Sequence, residues 1–329
     1  MQGLVTVFGG TGFLGAQVVR ALAKTGARIR VAARNPGRGY KLRMLGDVGQ
    51  IEVVQANIRN PQSIARALDG AEACINLVSV LFESGKQDFR ALNVDGARAI
   101  AEAAKARGLT RFVQMSALGA DPESPSVYAR TKAEGEAVVR GLIPSAVIIR
   151  PSIVFGPEDN FFNKFAAMAM VSPVLPLVGG GETRFAPVYV GDVATAVARA
   201  LTDPAAPGQI YELGGPAVYS FRELMALVVK EIHRKRLLLT IPFPVAGVIG
   251  KLGDFQAAAR NALGLIPPPA ITSDQVELLR ADNVVSGAYP GLADLGVQAS
   301  AVEPILPTYL YRYRKGGQFA DLMAEAGKA

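Results

Sequence analysis

Three side chains near the middle of the chain have the types and spacing of a hydride-transfer site. Tyr128-Ala-Arg-Thr-Lys132 places a phenol and an amine one helical turn apart on one face, and Ser116 ends the apolar run that precedes that helix. In such a set the Tyr works as acid or base, the Lys lowers its pKa by charge and holds a ribose, and the Ser bonds the substrate oxygen. The Tyr-x-x-x-Lys spacing alone says little, because Tyr311 and Lys315 repeat it in a basic tail with no strand-borne serine before it. An exposed Tyr and Lys on a helix face is the plain alternative. Ser116, Tyr128 and Lys132 are therefore the candidate catalytic residues, active or dormant.

Hydride chemistry needs a dinucleotide, and the N-terminus supplies a place for one. Residues 5–15 read Val-Thr-Val-Phe-Gly-Gly-Thr-Gly-Phe-Leu-Gly, an apolar strand breaking into Gly9-x-x-Gly12-x-x-Gly15. Gly9 permits the tight turn, Gly12 lets the backbone approach a pyrophosphate, and Gly15 lets helix and strand pack closely. The free N–H groups of the helix start then face the phosphates.

The second strand selects the dinucleotide. Where a carboxylate would hold the ribose 2′-OH of NAD, the strand Arg28–Ala33 ends in Arg34, and six basic residues but no acidic one lie between Arg28 and Gly46. A guanidinium binds a 2′-phosphate in a fork where a carboxylate would repel it. The expected cofactor is NADP(H).

The elements that must position these residues alternate. Ile51–Gln55, Ala73–Ser79, Arg111–Ser116 and Ala146–Arg150 read as strands; Pro61–Leu68, Lys86–Arg107 and Val127–Gly141 read as helices. Later, Val193–Leu201 and Phe221–Ile232 read as helices around a strand at Gln209–Leu213. Repeated βα units imply an α/β fold, a Rossmann-type doubly wound parallel sheet, with a small C-terminal α/β domain. Residues 1–160 are assigned to the nucleotide core. Residues 161–329 form a mixed region that completes the core and makes the small domain, with an indistinct boundary.

Composition sets the outer bounds. The chain has 329 residues, 50% of them hydrophobic, with no Trp, one Cys and one His. A lone cysteine, Cys74, permits no internal disulfide, and one Cys with one His makes a His/Cys metal site untenable. No metal is expected. Residues 1–110 carry 15 basic and 8 acidic side chains, the whole of the +7 net charge. The basic balance lacks aromatic interleaving, zinc spacing or a basic helix, so no nucleic-acid partner is expected; phosphate binding and a surface for anionic lipid or an acidic partner account for it better. Phe165–Gly181, with two prolines and three glycines, cannot span a membrane, and the uncharged stretch Leu237–Gly250 is too short to do so. That stretch follows His233-Arg-Lys-Arg236. It reads either as an interfacial contact with anionic lipid or as a core helix after a solvated charge run. His233 reads as a surface residue, Asp192 as the N-cap of its helix, and Asp121 and Glu123 as solvated loop residues.

The fingerprint, Asn93 in Leu-Asn-Val-Asp-Gly, Ser116, Tyr128/Lys132 and Arg150-Pro-Ser-Ile-Val-Phe-Gly-Pro157 together resemble the extended and atypical short-chain dehydrogenases/reductases. Within that superfamily the chain is most similar to the NADPH-binding accessory subunits of respiratory complex I, the 39-kDa type. Met44-Leu-Gly-Asp-Val-Gly-Gln-Ile51, Pro187-Val-Tyr-Val-Gly-Asp192 and Asp282-Asn-Val-Val285 carry the likeness, which covers nearly the whole chain. The resemblance implies a tightly held, structural NADP(H), no established turnover, other complex I subunits as partners and peripheral contact with membrane lipid. It implies a nucleotide lined by Gly9, Thr11, Gly12, Phe13, Leu14, Gly15, Arg34, Val78 and Pro151 besides Ser116, Tyr128 and Lys132. Asn57 and Ile58 would meet the adenine; Asn57 stands where many relatives carry Asp, and still offers hydrogen bonds. Asn93 is left as a proton relay or a buried, helix-kinking amide. The chain opens directly into a strand without room for a leader, which resembles a bacterial member on the cytoplasmic face of the inner membrane (the matrix side in a mitochondrion). An active NADP-dependent reductase or epimerase on a small substrate is the alternative.

Overall fold

The computed structural model describes residues 3–85, 87–263 and 269–319. Six parallel strands follow one another from the N-terminus: β1 (Leu4–Phe8), β2 (Arg28–Ala33), β3 (Ile51–Gln55), β4 (Ala73–Asn76), β5 (Arg111–Met115) and β6 (Val147–Pro151). Helices α1 (Phe13–Ala23), α2 (Pro61–Ala67), α3 (Gly96–Lys105) and α4 (Val127–Leu142) connect them. Further on come β7 (Val154–Phe155), α5 (Phe162–Val171), β8 (Val174–Val178), β9 (Arg184–Phe185), β10 (Val188–Tyr189) and α6 (Val190–Ala200). The strand β11 (Ile210–Leu213) then returns to the sheet, giving seven strands in the order β11-β6-β5-β4-β1-β2-β3. The order reverses between β1 and β4, and ligands of such sheets bind in the crevice outside the strand ends at that point.

Burial follows the two-residue period of the strands. Val5 and Val7 of β1 join the core beneath α1 and α6, while Phe8 joins the opposite core beneath α2, α3 and α4. Thr6 faces the same way as Phe8, and its buried hydroxyl donates to Ala67 O at 2.8 Å. Helices on both faces explain why the strands read as near-continuous apolar runs.

The remaining elements are β12 (Tyr219–Ser220), α7 (Phe221–Glu231), β13 (Leu237–Ile241), α8 (Phe243–Leu263), α9 (Ser273–Leu278) and α10 (Pro307–Leu310). β8 pairs with β13 in parallel, and α5, α7 and α10 gather Phe162, Phe221, Met225 and Tyr309 into a third core.

Three expectations from sequence are corrected. The helix expected over Lys86–Arg107 starts later and carries a π segment: Ser84 and Gln87 pair in a bridge, helix begins at Phe89, a π-helical turn covers Arg90–Asp95, and α3 continues from Gly96; Lys86 lies outside the described residues. Asn93 is buried in that π turn, its amide held by Ser79 and Thr131. The turn is pressed by α4, where a Cβ on Gly135 would stand 2.2 Å from Asn93 O. Asp192 does not cap α6: Tyr189 is the cap residue, and the Asp192 carboxylate accepts from Ser300 N–H at 2.7 Å and Ser300 Oγ at 3.1 Å. The third correction concerns residues 234–250. Arg234 Nε donates to Tyr313 O at 3.2 Å and Arg236 Nε to Ala169 O at 2.6 Å, so these cations pin backbone carbonyls rather than forming a solvated run. The apolar stretch is a strand followed by α8, with Leu237, Leu239, Val245, Val248, Leu252 and Phe255 exposed rather than in a core.

Candidate functional site

At the switch point the glycine turn takes the form its spacing requires. Gly9 has φ +82°, in the left-handed region, and a Cβ there would touch the Leu77 and Val78 backbone at 3.1–3.2 Å. Gly15 lies against the turn so closely that a Cβ would stand 2.2 Å from Gly9 O. Gly12 is different. It is exposed, extended (φ −83°, ψ 178°), and a Cβ on it would meet only Gly9 O at 3.5 Å. Its open face, at the cap of α1 where no side chain satisfies the helix N–H groups, is where an anion can approach. Phe13 and Leu14 enter the first turn of α1, Leu14 against the sheet core, and Thr11 packs towards Gly39.

Arg34 lies exposed at the end of β2, and its Nη1 donates to Gln87 Oε1 at 2.9 Å, across the mouth of the crevice. Asn57 follows β3; its Oδ1 accepts from Arg59 N–H at 3.1 Å and its own N–H donates to Ser63 Oγ at 3.0 Å. Ile58 is buried, with its side chain against Gly96 under α3. Val78 N–H donates to Asn76 Oδ1 at 3.1 Å on the β4 side, and Pro151 is buried at the end of β6.

The chemistry-bearing set is brought together on β5 and α4. Ser116 is buried where β5 ends, and its Oγ is the one buried side-chain polar atom among the described residues without a hydrogen-bond partner. An orphaned buried hydroxyl costs stability unless something completes it, and here a ligand oxygen would. Lys132 is buried one turn beyond Tyr128; its Nζ donates to Met115 O at 3.3 Å and lies 5.6 Å from the Tyr128 ring centroid. Phe89 packs edge-on against the same ring at 5.5 Å. The Tyr128 hydroxyl hydrogen-bonds Ser79, whose Oγ donates to Asn93 Oδ1 at 3.0 Å; Asn93 Nδ2 donates to Thr131 Oγ1 at 3.1 Å.

Electrostatics depart from the expectation that Lys132 would acidify Tyr128. Burial pushes the Tyr128 phenol up to about 12, the Ser79 bond opposes that, and the Asp274 charge adds to it. Burial brings the Lys132 amine down to about 8, partly offset by the Glu136 carboxylate. A phenol so raised stays protonated at neutral pH and is suited to donate a proton; the amine beside it keeps most of its charge. Tyr311 and Lys315, the second copy of the spacing, share no helical face, because the 3₁₀ turn over Tyr311–Tyr313 ends at Arg314 in extended backbone. Sequence reasoning missed Asp274 and Gln275 of α9. Asp274 accepts from Ser126 Oγ at 2.9 Å and from the N–H groups of Val127 and Tyr128 at 2.6 and 3.3 Å. Gln275 Nε2 donates to Leu81 O at 3.1 Å.

This crevice, glycine turn and Ser/Tyr/Lys set define a Rossmann-type protein of the extended short-chain dehydrogenase/reductase kind. Residues 5–214 match the model of the NAD dependent epimerase/dehydratase family, and the chain belongs to that family. Across almost its whole length the chain is also similar to a narrower group. It is 35% identical over 330 residues to the NADH dehydrogenase [ubiquinone] 1 alpha subcomplex subunit 9, mitochondrial, of Arabidopsis thaliana, covering 99% of this chain and 82% of that one. It is 37% identical to the Mus musculus protein of the same name, covering 94% and 80%. A ceramide reductase of Caulobacter vibrioides is 34% identical over 262 residues, covering 79% and 80%. Among solved structures, an NADPH-dependent quinone oxidoreductase from Escherichia coli complexed with NADPH superposes with TM-score 0.71 at 22% identity, over 91% of this chain and 97% of that one, which shows the shared fold.

Proposed function

We propose that the chain is an NADP(H)-binding accessory subunit of proton-pumping NADH:quinone oxidoreductase (complex I), in which the nucleotide stabilises the subunit near the quinone module. The observation that carries this reading is the similarity at 35% identity over 99% of the chain to a complex I subunit. In this reading residues 1–160 hold the nucleotide. Residues 161–329 return α6 and β11 to the core and present the docking face.

Gly12 and the start of α1 meet the pyrophosphate, with Gly9, Thr11, Phe13, Leu14 and Gly15 shaping the turn; Arg34 takes the 2′-phosphate; Asn57 and Ile58 border the adenine; Val78 and Pro151 line the nicotinamide half. Lys132 and Tyr128 hold the nicotinamide ribose whether or not hydride moves. NADP(H) is favoured over NAD(H) because β2 ends in Arg34 with no carboxylate beside it.

Among the described residues no helix is long and apolar enough to cross a membrane. The exposed apolar face of β13 and α8, flanked by Lys235 and Lys251, supports peripheral attachment to the complex at the lipid surface, on the cytoplasmic side of a bacterial inner membrane or the matrix side of a mitochondrion. A second reading, an active NADP-dependent reductase or epimerase, is favoured by the orphaned Ser116 hydroxyl and the protonated Tyr128 phenol.

Affinity capture of the tagged chain from detergent-solubilised native membranes tests the proposal. Recovery of the remaining complex I subunits in fixed ratio is expected. A chain recovered alone, with turnover on a carbonyl or nucleotide-sugar panel, would transfer the conclusion to the second reading.

A further inference from the structure

Two of the residues that hold the mouth of the crevice, Asp274 and Gln275, come from outside the family match, which ends at residue 214. The segment after β4, described from Leu77 to Gly85 and again from Gln87 to Phe89, borders the crevice and is fastened at three places. Ser79 bonds Asn93, Gln87 accepts from Arg34 on the far side, and Leu81 O accepts from Gln275 Nε2 at 3.1 Å. The other wall is α4, whose first turn contains no acidic residue to complement its N-terminal charge. Asp274 supplies that charge from α9, taking the Ser126 hydroxyl and the Val127 and Tyr128 N–H groups. Adjacent residues of one short helix thus hold both walls.

α9 itself is rigidly placed. Thr272 and Gln275 form a reciprocal capping box, with Gln275 Oε1 accepting from Thr272 N–H at 3.3 Å. Asp254 of α8 accepts from Ser273 N–H at 3.2 Å and from the Ser273 hydroxyl. A clamp tied in this way to α8 cannot move off the crevice without breaking bonds at both of its ends.

We propose that α9 is a clamp on the nucleotide crevice, with Asp274 and Gln275 as positioning residues that set how fast a dinucleotide enters and leaves. This rests on the nucleotide reading above. A bound dinucleotide lies beneath the Leu77–Gly85 segment and beside α4, so it exchanges when the Gln275–Leu81 or Asp274–α4 bonds open. The clamp makes the site slow to exchange, which suits a nucleotide that is retained as part of the structure rather than released every cycle.

The test is stopped-flow NADPH fluorescence on the full chain stripped of nucleotide, for the unmodified protein, Gln275→Ala and Asp274→Asn. Gln275→Ala removes one latch, so kon and koff are both expected to rise about tenfold, the equivalent of one lost hydrogen bond, while Kd changes less than about threefold. Asp274→Asn keeps the side-chain size and an oxygen for Val127 N–H, and a smaller parallel rise in both rates is expected. A merely structural role would raise koff without raising kon. That result, or rates equal to those of the unmodified chain in both variants, overturns the clamp. Absence of any NADPH signal in the unmodified chain overturns the nucleotide reading instead, and the clamp with it.

Discussion

Gly12 and Gly15 stand three residues apart in one motif, yet the structure requires opposite outcomes when each gains a side chain. At Gly12 the backbone is extended and a Cβ would meet only Gly9 O, at an ordinary 3.5 Å, so the fold has room for a side chain there. The branched carbons of Gly12→Val would occupy the open face over the α1 N-terminus. At Gly15 a Cβ would stand 2.2 Å from Gly9 O and 2.6 Å from Gly10 Cα, both backbone, so Gly15→Ala must shift the turn itself. That overpacking costs about 1–3 kcal/mol or more. A ligand at 100 times its Kd adds about 2.7 kcal/mol of stability, which raises the Tm of a chain of this length by about 4 °C. Thermal melting of the stripped protein with and without NADPH separates the cases. Gly12→Val should melt within about 2 °C of the unmodified apo chain and show no NADPH shift. Gly15→Ala should melt several degrees lower even without ligand. A Gly12→Val variant that keeps the full NADPH shift, or one that melts as low as Gly15→Ala, would refute the assignment of that face to the pyrophosphate.

Arg34→Ala should weaken NADPH about 10- to 100-fold in a fluorescence titration and leave NADH nearly unchanged, because a charge-assisted contact is worth roughly 1.5–3 kcal/mol; equal loss for both would remove the 2′-phosphate role. Tyr128→Phe keeps the ring against Phe89 and loses only the hydroxyl, so complex assembly, NADPH content and quinone reduction should all survive; a large fall in quinone reduction with assembly intact would argue for chemistry at this site. Lys132 has a folded pKa lowered from 10.5 to about 8, so between those values the unfolded chain binds the extra proton and the residue's contribution to stability grows with pH. Apo Lys132→Met should therefore melt at least as high as the unmodified chain at pH 7, with that advantage shrinking towards pH 10, while binding NADPH more weakly at pH 7; a pH-independent difference in Tm would contradict the titration. Replacing Val248, Leu252 and Phe255 with Ser should release the protein from washed membranes at any salt concentration without changing NADPH affinity, because hydrocarbon burial is not screened; unchanged retention would place the docking face elsewhere.

Local periodicity carried much of the fold. The apolar run of β1, the glycine spacing and the two-residue alternation of the core strands are short-range features, and so were readable before any contact was known. What escaped was decided by partners distant in sequence. The π turn around Asn93 is pressed by Gly135, and no property of residues 86–107 reveals that α4 comes so close. Asp192 resembled a cap because it is acidic near a helix start, but Ser300 N–H and Oγ, over a hundred residues away, hold its carboxylate. In the same way α4 is capped in part by Asp274, which no local pattern around Tyr128 announces. Arg234 and Arg236 read as lipid-facing cations or as a solvated run, since a sequence does not show which carbonyls a long side chain will reach. The candidate residues Ser116, Tyr128 and Lys132 were legible from their types and spacing. Their pKa values were not, because burial outweighs the neighbouring charges.

The central claim is that this chain carries a retained NADP(H) within complex I. Native complex purified from membranes can be denatured in acid and base and its nucleotide quantified against FMN, before and after turnover with NADH and quinone. The account predicts one NADP(H) per FMN, with its redox state unchanged by turnover, and loss of that nucleotide from complex assembled with Arg34→Ala. Complex that contains the chain but no NADP(H), or NADP(H) that is oxidised and re-reduced as quinone is consumed, would contradict it.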